Sequence, residues 1–396
     1  MPAGDTFRTP KEAVVRTAAI LLAAVAALTA IWFGKQPWMT IRGRWIWFPV
    51  AAVAWTLVTF AFARNYVTSA HSLLDVVVGA TIFVFMVLAV RRRSLAVFAA
   101  LFVPAILNAI VLLLQELHLW EPFRYTVQLV ERLRRTGYIG NPDDVGMYFA
   151  PVAIAAVAIL IVSKGWLRVL ATLTAVAAIT AISISQTLTA FGALAAGLAT
   201  IALVALRRRA PIAIIVLILG AGAALLMTPA GLRIREMGLE LRRGHVPPTL
   251  AGRALASLTA AEMFRDAPVF GVGPGGFAWD YFPYRLRVDR KWPELRGLAQ
   301  ENFGEAHNDH IQLLAETGVP GYLLYLAVLV VLGAISFRDA GDDERSRFTR
   351  LVALPTAVTI FILGIALFPL HVAVARIALL FIAATVTAWR LDVDRA

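Results

Sequence analysis

The segment from Ala306 to Tyr325, AHNDHIQLLAETGVPGYLLY, gathers the side chains whose types and spacing could do chemistry. Asn308 or Asp309 carries the short polar group that caps a helix start. Ile311, Leu314 and Ala315 fall on one face of the helix that would follow. Gly318 suits its C-terminal cap, and Pro320 suits the first turn of a new helix. The spacing predicts a short helix leading into a longer one, with His307 at or just before the first helix start. A helix N-terminus carries partial positive charge, which lowers an imidazole pKa and keeps the ring neutral and able to take a proton. The same helix end attracts an anion. A neutral base beside an anion site is the pair that transfer of a glycan from a phosphate leaving group requires. On spacing alone, His307 also reads as an interfacial histidine closing a loop. His310 points elsewhere on the helix and reads as a supporting or surface group.

A second candidate is Arg253. Thr249 can cap a helix from Leu250 to about Arg265, stopped by Pro268, with Leu255, Leu258 and Ala261 facing inward. Arg253 and Ser257 then share a neighbouring face. A guanidinium fork there fits phosphate oxygens better than an ammonium does, although a solvated or lipid-headgroup arginine fits the pattern too. Gly271-Val-Gly-Pro-Gly-Gly276 formally matches G-x-G-x-x-G. No strand precedes it, Pro274 occupies the turn and no βαβ unit follows, so a dinucleotide fingerprint is rejected. A tight turn that closes a loop is expected instead, whose N–H groups could still meet a phosphate. Asp75, Asn108, His371 and Arg376 lie within or between apolar runs, where polar groups invite a functional reading. Asp75 paired with Arg64 or Arg376 is the ordinary alternative. Histidines and carboxylates do not recur at metal-ligand spacing, so no metal and no cofactor is expected.

These residues need elements to hold them, and the composition says which kind. The chain has 396 residues, 60% hydrophobic and 16% charged, with a mean hydropathy of +0.75. Soluble domains are nearer half apolar and a quarter charged, which argues against a soluble enzyme, a disordered chain and a nucleic-acid reader. The absence of cysteine excludes a thiol nucleophile, a thiolate metal site and disulfides. Apolar runs long enough to cross a bilayer recur. They are Val14 to Gly34, Trp45 to Ala63, Leu73 to Val90, Leu95 to Leu114, Val145 to Val162, Val169 to Ile184, Leu188 to Leu206 and Pro211 to Met227. Gly321 to Ile335, Leu351 to Phe368 and Leu370 to Trp389 follow a long polar stretch. The fold class expected is an all-α polytopic transmembrane bundle of about 11–12 spans with one long extracytoplasmic loop containing short helices. Residues 1–228 would form the N-terminal transmembrane helices, 229–310 the loop and 311–396 the C-terminal transmembrane helices.

Orientation follows from the basic short loops. Arg91 to Arg93, Lys164 with Arg168, Arg207 to Arg209, and the stretch from Arg338 to Arg350 fall in alternate loops, which places them in the cytoplasm. The long loop and the N-terminus then fall outside, although Arg8, Lys11 and Arg16 run mildly against that last placement.

H-N-x-x-[I/L]-Q-L-L-A-E-x-G-x-x-G, as it stands from His307 to Gly321, resembles the signature of the O-antigen ligase and O-antigen polymerase superfamily. Its members are integral membrane glycosyltransferases acting on polyprenyl-diphosphate-linked glycans. Gly252-Arg253, the helix after it and Asp266 to Phe277 resemble the family's outer loop. Arg135 to Pro142 resembles its G-x-x-x-N-P stretch. Ser185-Gln186-Thr187 falls where many members carry a serine-arginine pair. The resemblance covers roughly Arg132 to Tyr325, about half of the chain. It implies His307 as the histidine essential for transfer, with Asn308 beside it, and Arg253 as a contact to the donor diphosphate. Gln186 departs from the pattern; it could donate a hydrogen bond without charge, and Arg135, Arg285, Arg287 or Arg290 could supply the missing charge. The activity implied is glycan transfer from undecaprenyl diphosphate to an acceptor hydroxyl, lipid A–core or similar. It would be metal-independent and inverting, on the outer face of the bacterial inner membrane. A polysaccharide polymerase of the same superfamily is the close alternative. A transporter or flippase for an anionic lipid-linked substrate would show paired discontinuous helices and symmetric halves, and the sequence shows no repeat. The expected partners are the polyprenyl-diphosphate-linked donor, a glycolipid or glycan acceptor and membrane lipids, with no nucleic acid.

Overall fold

The computed structural model describes residues 3–33, 44–121, 134–206, 229–295, 302–338 and 341–393. Among these residues there are thirteen α-helices and no strand. The first seven are α1 (Ala3–Phe33), α2 (Trp47–Ala61), α3 (Tyr66–Val90), α4 (Ala99–Glu116), α5 (Pro142–Val162), α6 (Gly165–Ser185) and α7 (Leu188–Leu206). Then come α8 (Pro229–Arg242), α9 (Pro248–Asp266), α10 (Gly276–Lys291), α11 (Asp309–Ala334), α12 (Glu344–Ala366) and α13 (Ala373–Val393). Among the described residues, nine helices are long and apolar enough to cross a membrane: α1, α3 to α7, and α11 to α13. The chain is a polytopic helical bundle. Of the expected runs, Trp45 to Ala63 forms the shorter α2, with 15 residues, below the roughly 20 that a straight crossing needs. Pro211 to Met227 lies outside the described residues.

The bundle is built around α5, most of whose residues are buried. Asn141 caps it, accepting from Asp143 N, and Pro142 occupies the first turn, where its missing N–H costs nothing. Small residues let neighbours approach closely, as membrane packing favours. A Cβ on Gly197 would stand 2.5 Å from both Ile154 and Thr359. At one end of the bundle Trp389 Nε1 donates to Val90 O at 3.1 Å, and Phe98 packs edge-on against Phe348. Arg91 to Arg93 and the Arg338 to Arg350 stretch flank that end, as the alternation of basic loops predicts.

The first half of α1 belongs to the opposite end. Arg8 pairs with Asp144 through two bonds of 2.7 and 3.0 Å. Lys11 Nζ donates to Ile139 O. Arg16 pairs with Asp75 at 2.8 Å. The three basic residues that run against an outer N-terminus thus have acidic or carbonyl partners there. Asp75 takes Arg16 rather than Arg64 or Arg376, and Arg64 pairs with Asp280 at 3.5 Å instead. Asn108 and Gln115 are also structural. Asn108 Oδ1 accepts from Tyr138 N, and Gln115 Oε1 accepts from Thr136 N and Gly137 N, tying α4 to the segment before α5.

The glycine-rich turn closes over the bundle by docking on α11. Val272 N and Gly273 N donate to Ala315 O and Glu316 O. The Glu316 carboxylate accepts from Gly275 N and Phe277 N. Gly271 sits at φ +69°, and a Cβ there would lie 2.2 Å from the Glu316 backbone. Only glycine fits so close an approach.

Candidate active site

His307 stands just before the α11 cap in a left-handed conformation, φ +52°, which a non-glycine residue adopts only where its surroundings hold it. Asn308 follows in extended backbone and caps α11, accepting from Ile311 N at 3.1 Å. The expected short helix and restart are both present. Gly318 interrupts α11 at φ +68°, ψ −174°, and Val319 N is stitched to Pro268 O. The His307 ring is held edge-on between Phe303 and Phe368, with centroids 5.5 and 4.9 Å away. Its Nδ1 is buried with no hydrogen-bond partner among the described residues.

The ring borders a cavity of about 290 Å³. Arg253, Arg233, Asp143, Ser257 and Thr187 line it with His307. Arg253 forms an ion pair with Asp143 at 2.7 Å. Arg233, from α8, donates to Gln186 O at 3.0 Å. The first turns of α7, at Leu188 and Thr189, and of α9, at Thr249 and Leu250, also border the space, adding partial positive charge. Two guanidinium groups and two helix starts against one aspartate make the cavity electropositive. Burial first, and the charge of Arg253 second, lower the His307 pKa to about 4; Asp143 opposes this only in part. The ring is therefore neutral in the physiological range.

Behind His307 lies a buried polar network. Gln312 Oε1 accepts from Ala306 N at 2.8 Å, and its Nε2 donates to Glu305 at 2.6 Å. His371 Nδ1 lies 2.8 Å from Asp309 Oδ1. Burial alone would lower the His371 pKa, but the carboxylates of Glu305, Asp309 and Glu316 outweigh it and raise it to about 10. His371 is thus a cation that holds α11 to the start of α13. His310 is held between α11 and α12, 2.9 Å from Phe361 O and 3.3 Å from Tyr322 Oη.

Of the residues that the sequence singles out, His307 and Arg253 meet in the cavity. Gln186 does not line the cavity: it ends α6 in left-handed conformation, φ 53°, and its carbonyl receives Arg233. Asn308 spends its side chain on the cap. Arg135 pairs with Glu116 at 2.9 Å, and Arg285 pairs with Asp289 at 2.8 Å within α10; neither borders the cavity. Thr249 does not cap α9, because the helix begins at Pro248, two residues before Leu250, and its cap position is Pro247. Arg233 and Asp143 belong to the site and escape a reading by motif. Arg233 sits in a helix crowded with charge, RIREMGLELRR, where nothing marks one arginine out. Asp143 reads as a first-turn acid favouring its own helix.

Residues 173–326 match the family model of the O-Antigen ligase family. The match contains Gln186, Arg233, Arg253 and His307, and ends within α11. No curated protein sequence matches the chain. Apart from Asp143, Ile365 and Ala366, the cavity residues fall within the matched region, so the part of this multi-pass membrane protein that builds the site is similar to the O-antigen ligase family.

Proposed function

We propose that the chain is a glycosyltransferase that moves a glycan from a polyprenyl-diphosphate donor to an acceptor hydroxyl on the outer face of the bacterial inner membrane. The observation that carries this reading is the meeting of a neutral imidazole at His307, its Nδ1 without a hydrogen-bond partner among the described residues, with Arg253 and Arg233 around one cavity. The two arginines would bind the diphosphate and neutralise it as it leaves, through charge-assisted forks. His307 would take the proton of the acceptor hydroxyl while its oxygen attacks C1 of the donor sugar. The new O–C1 bond forms as the C1–O bond to phosphate breaks, and polyprenyl diphosphate departs. Direct displacement of this kind inverts the anomeric centre. Phosphate charge next to Arg253 would also offset the repulsion that lowers the His307 pKa, so donor binding would strengthen the base.

Asp143 would orient Arg253 towards the donor. Ligation to a glycolipid such as lipid A–core and polymerisation of a polysaccharide use the same step and differ only in acceptor. The test is purified protein supplied with a polyprenyl-diphosphate glycan and candidate acceptors, with products identified by mass spectrometry. Product with an inverted linkage supports the reading. Donor left intact with every acceptor, by folded protein, counts against it.

A further inference from the structure

The bundle holds a second, open-sided cavity, and we propose that it seats the lipid chain of a glycolipid acceptor, with the sugar headgroup at its Glu305 end. The proposal rests on the glycan-transfer reading above and assigns the acceptor to a place apart from the donor. The cavity measures about 1270 Å³. It runs beside α11 from Gln312 to Leu332, roughly 30 Å of helix at 1.5 Å per residue. A hydrocarbon core is about 30 Å thick, so the cavity follows the bilayer through its depth. Phe48, Phe83, Val328, Leu332 and Leu380 wall it, from α2, α3, α11 and α13. A long space with apolar walls suits an acyl or isoprenoid chain.

Charge decides which lipid fits. At the Glu305 end the lining contains Glu12, Asp75, Glu305 and Glu316 against Arg16, Arg376 and His371. Arg16 is engaged with Asp75 and His371 with Asp309, as Arg253 is with Asp143 in the smaller cavity, so the balance of lining charges is what differs. A diphosphate would meet carboxylates here, whereas the smaller cavity offers it two arginines against one aspartate. Carboxylates and Gln312 suit sugar hydroxyls, which donate hydrogen bonds to them. Glu305 borders the large cavity and His307 the small one. They are two residues apart, roughly 7 Å of extended chain. One short segment therefore presents a hydroxyl-binding carboxylate to one side and the base to the other.

The test is photolabelling of the full-length protein in nanodiscs with a glucosyl diacylglycerol bearing a diazirine in its acyl chain. Adducts should form on α2, α3 and α11 residues of the large cavity. Excess unlabelled glycolipid should displace them, and polyprenyl diphosphate should not. Gly79 lines this cavity and a Cβ there would meet Leu380 at an ordinary 3.9 Å, so Gly79→Leu should fill part of the space and lower labelling about tenfold. Arg253→Ala should leave it unchanged. Labelling no higher than with plain diacylglycerol would overturn the proposal, as would displacement by polyprenyl diphosphate. Both of these outcomes are read on wild-type protein and need no transfer activity, so failure of the glycan-transfer reading would appear separately.

Discussion

His307 is a base only while its ring is neutral, and its surroundings set the pH at which that holds. With a pKa lowered to about 4 by burial and by Arg253, the free protein has the neutral ring at every pH well above 4. The reactive form is lost as pH falls through that value. The pH profile of kcat/KM should therefore stay level from about 8 to 5 on the acid side; a fall centred near 6.5, the value of a free imidazole, would show an exposed ring. Bound phosphate should move the acid limb of kcat to higher pH than that of kcat/KM. The arginines predict a different signature. A hydrogen bond to a charged group contributes about 1.5–3 kcal/mol, so Arg253→Lys and Arg233→Lys should each weaken donor binding by roughly tenfold to a hundredfold, read by titration with the lipid diphosphate. His307 and Arg253 were legible because a motif marks each one. Arg233 was not: its place beside Gln186 is a contact between residues 47 positions apart, which no local spacing encodes. Arg135 and Arg285 do not supply the charge missing at Gln186, because Glu116 and Asp289 hold them elsewhere.

At the scale of elements, the break in α11 carries the site. It was legible because Gly318 and Pro320 are both punctuation for helices. What the sequence leaves hidden is the stitching: Val319 N to Pro268 O, and a glycine whose Cβ would lie 2.0 Å from Val269 O. Gly318→Ala should cost about 1–3 kcal/mol, the range for a residue forced into a sparsely allowed conformation, and lower the midpoint of thermal unfolding in detergent. An unchanged midpoint would mean that the turn at Pro268 yields freely. The capping of α9 shows the converse. Thr249 has the right chemistry, but Pro247 and Pro248 set the backbone and start the helix first. Asn308 shows a residue with two readings, binding or capping, whose side-chain bond to Ile311 N is the cap.

For the whole molecule, the periodic signals were strong because each span is a long local pattern. The nine spans of the described residues coincide with expected runs, whereas α2 is shorter than a straight crossing requires. The chain lacks cysteine, so single introduced cysteines report topology directly. Cysteine at Gly244 should react with an impermeant maleimide in sealed cells, and cysteine at Gly341 only after lysis; the reverse pattern would put the arginine cavity on the wrong side for the proposed donor. The central claim, that His307 activates the acceptor in glycan transfer, is tested most directly by His307→Ala and His307→Gln in purified protein with a defined polyprenyl-diphosphate donor. A general base typically contributes about 10²–10⁴-fold to rate. The account predicts that both variants insert and bind donor, and that both lose transfer on that scale. Transfer at the wild-type rate by His307→Ala would contradict it.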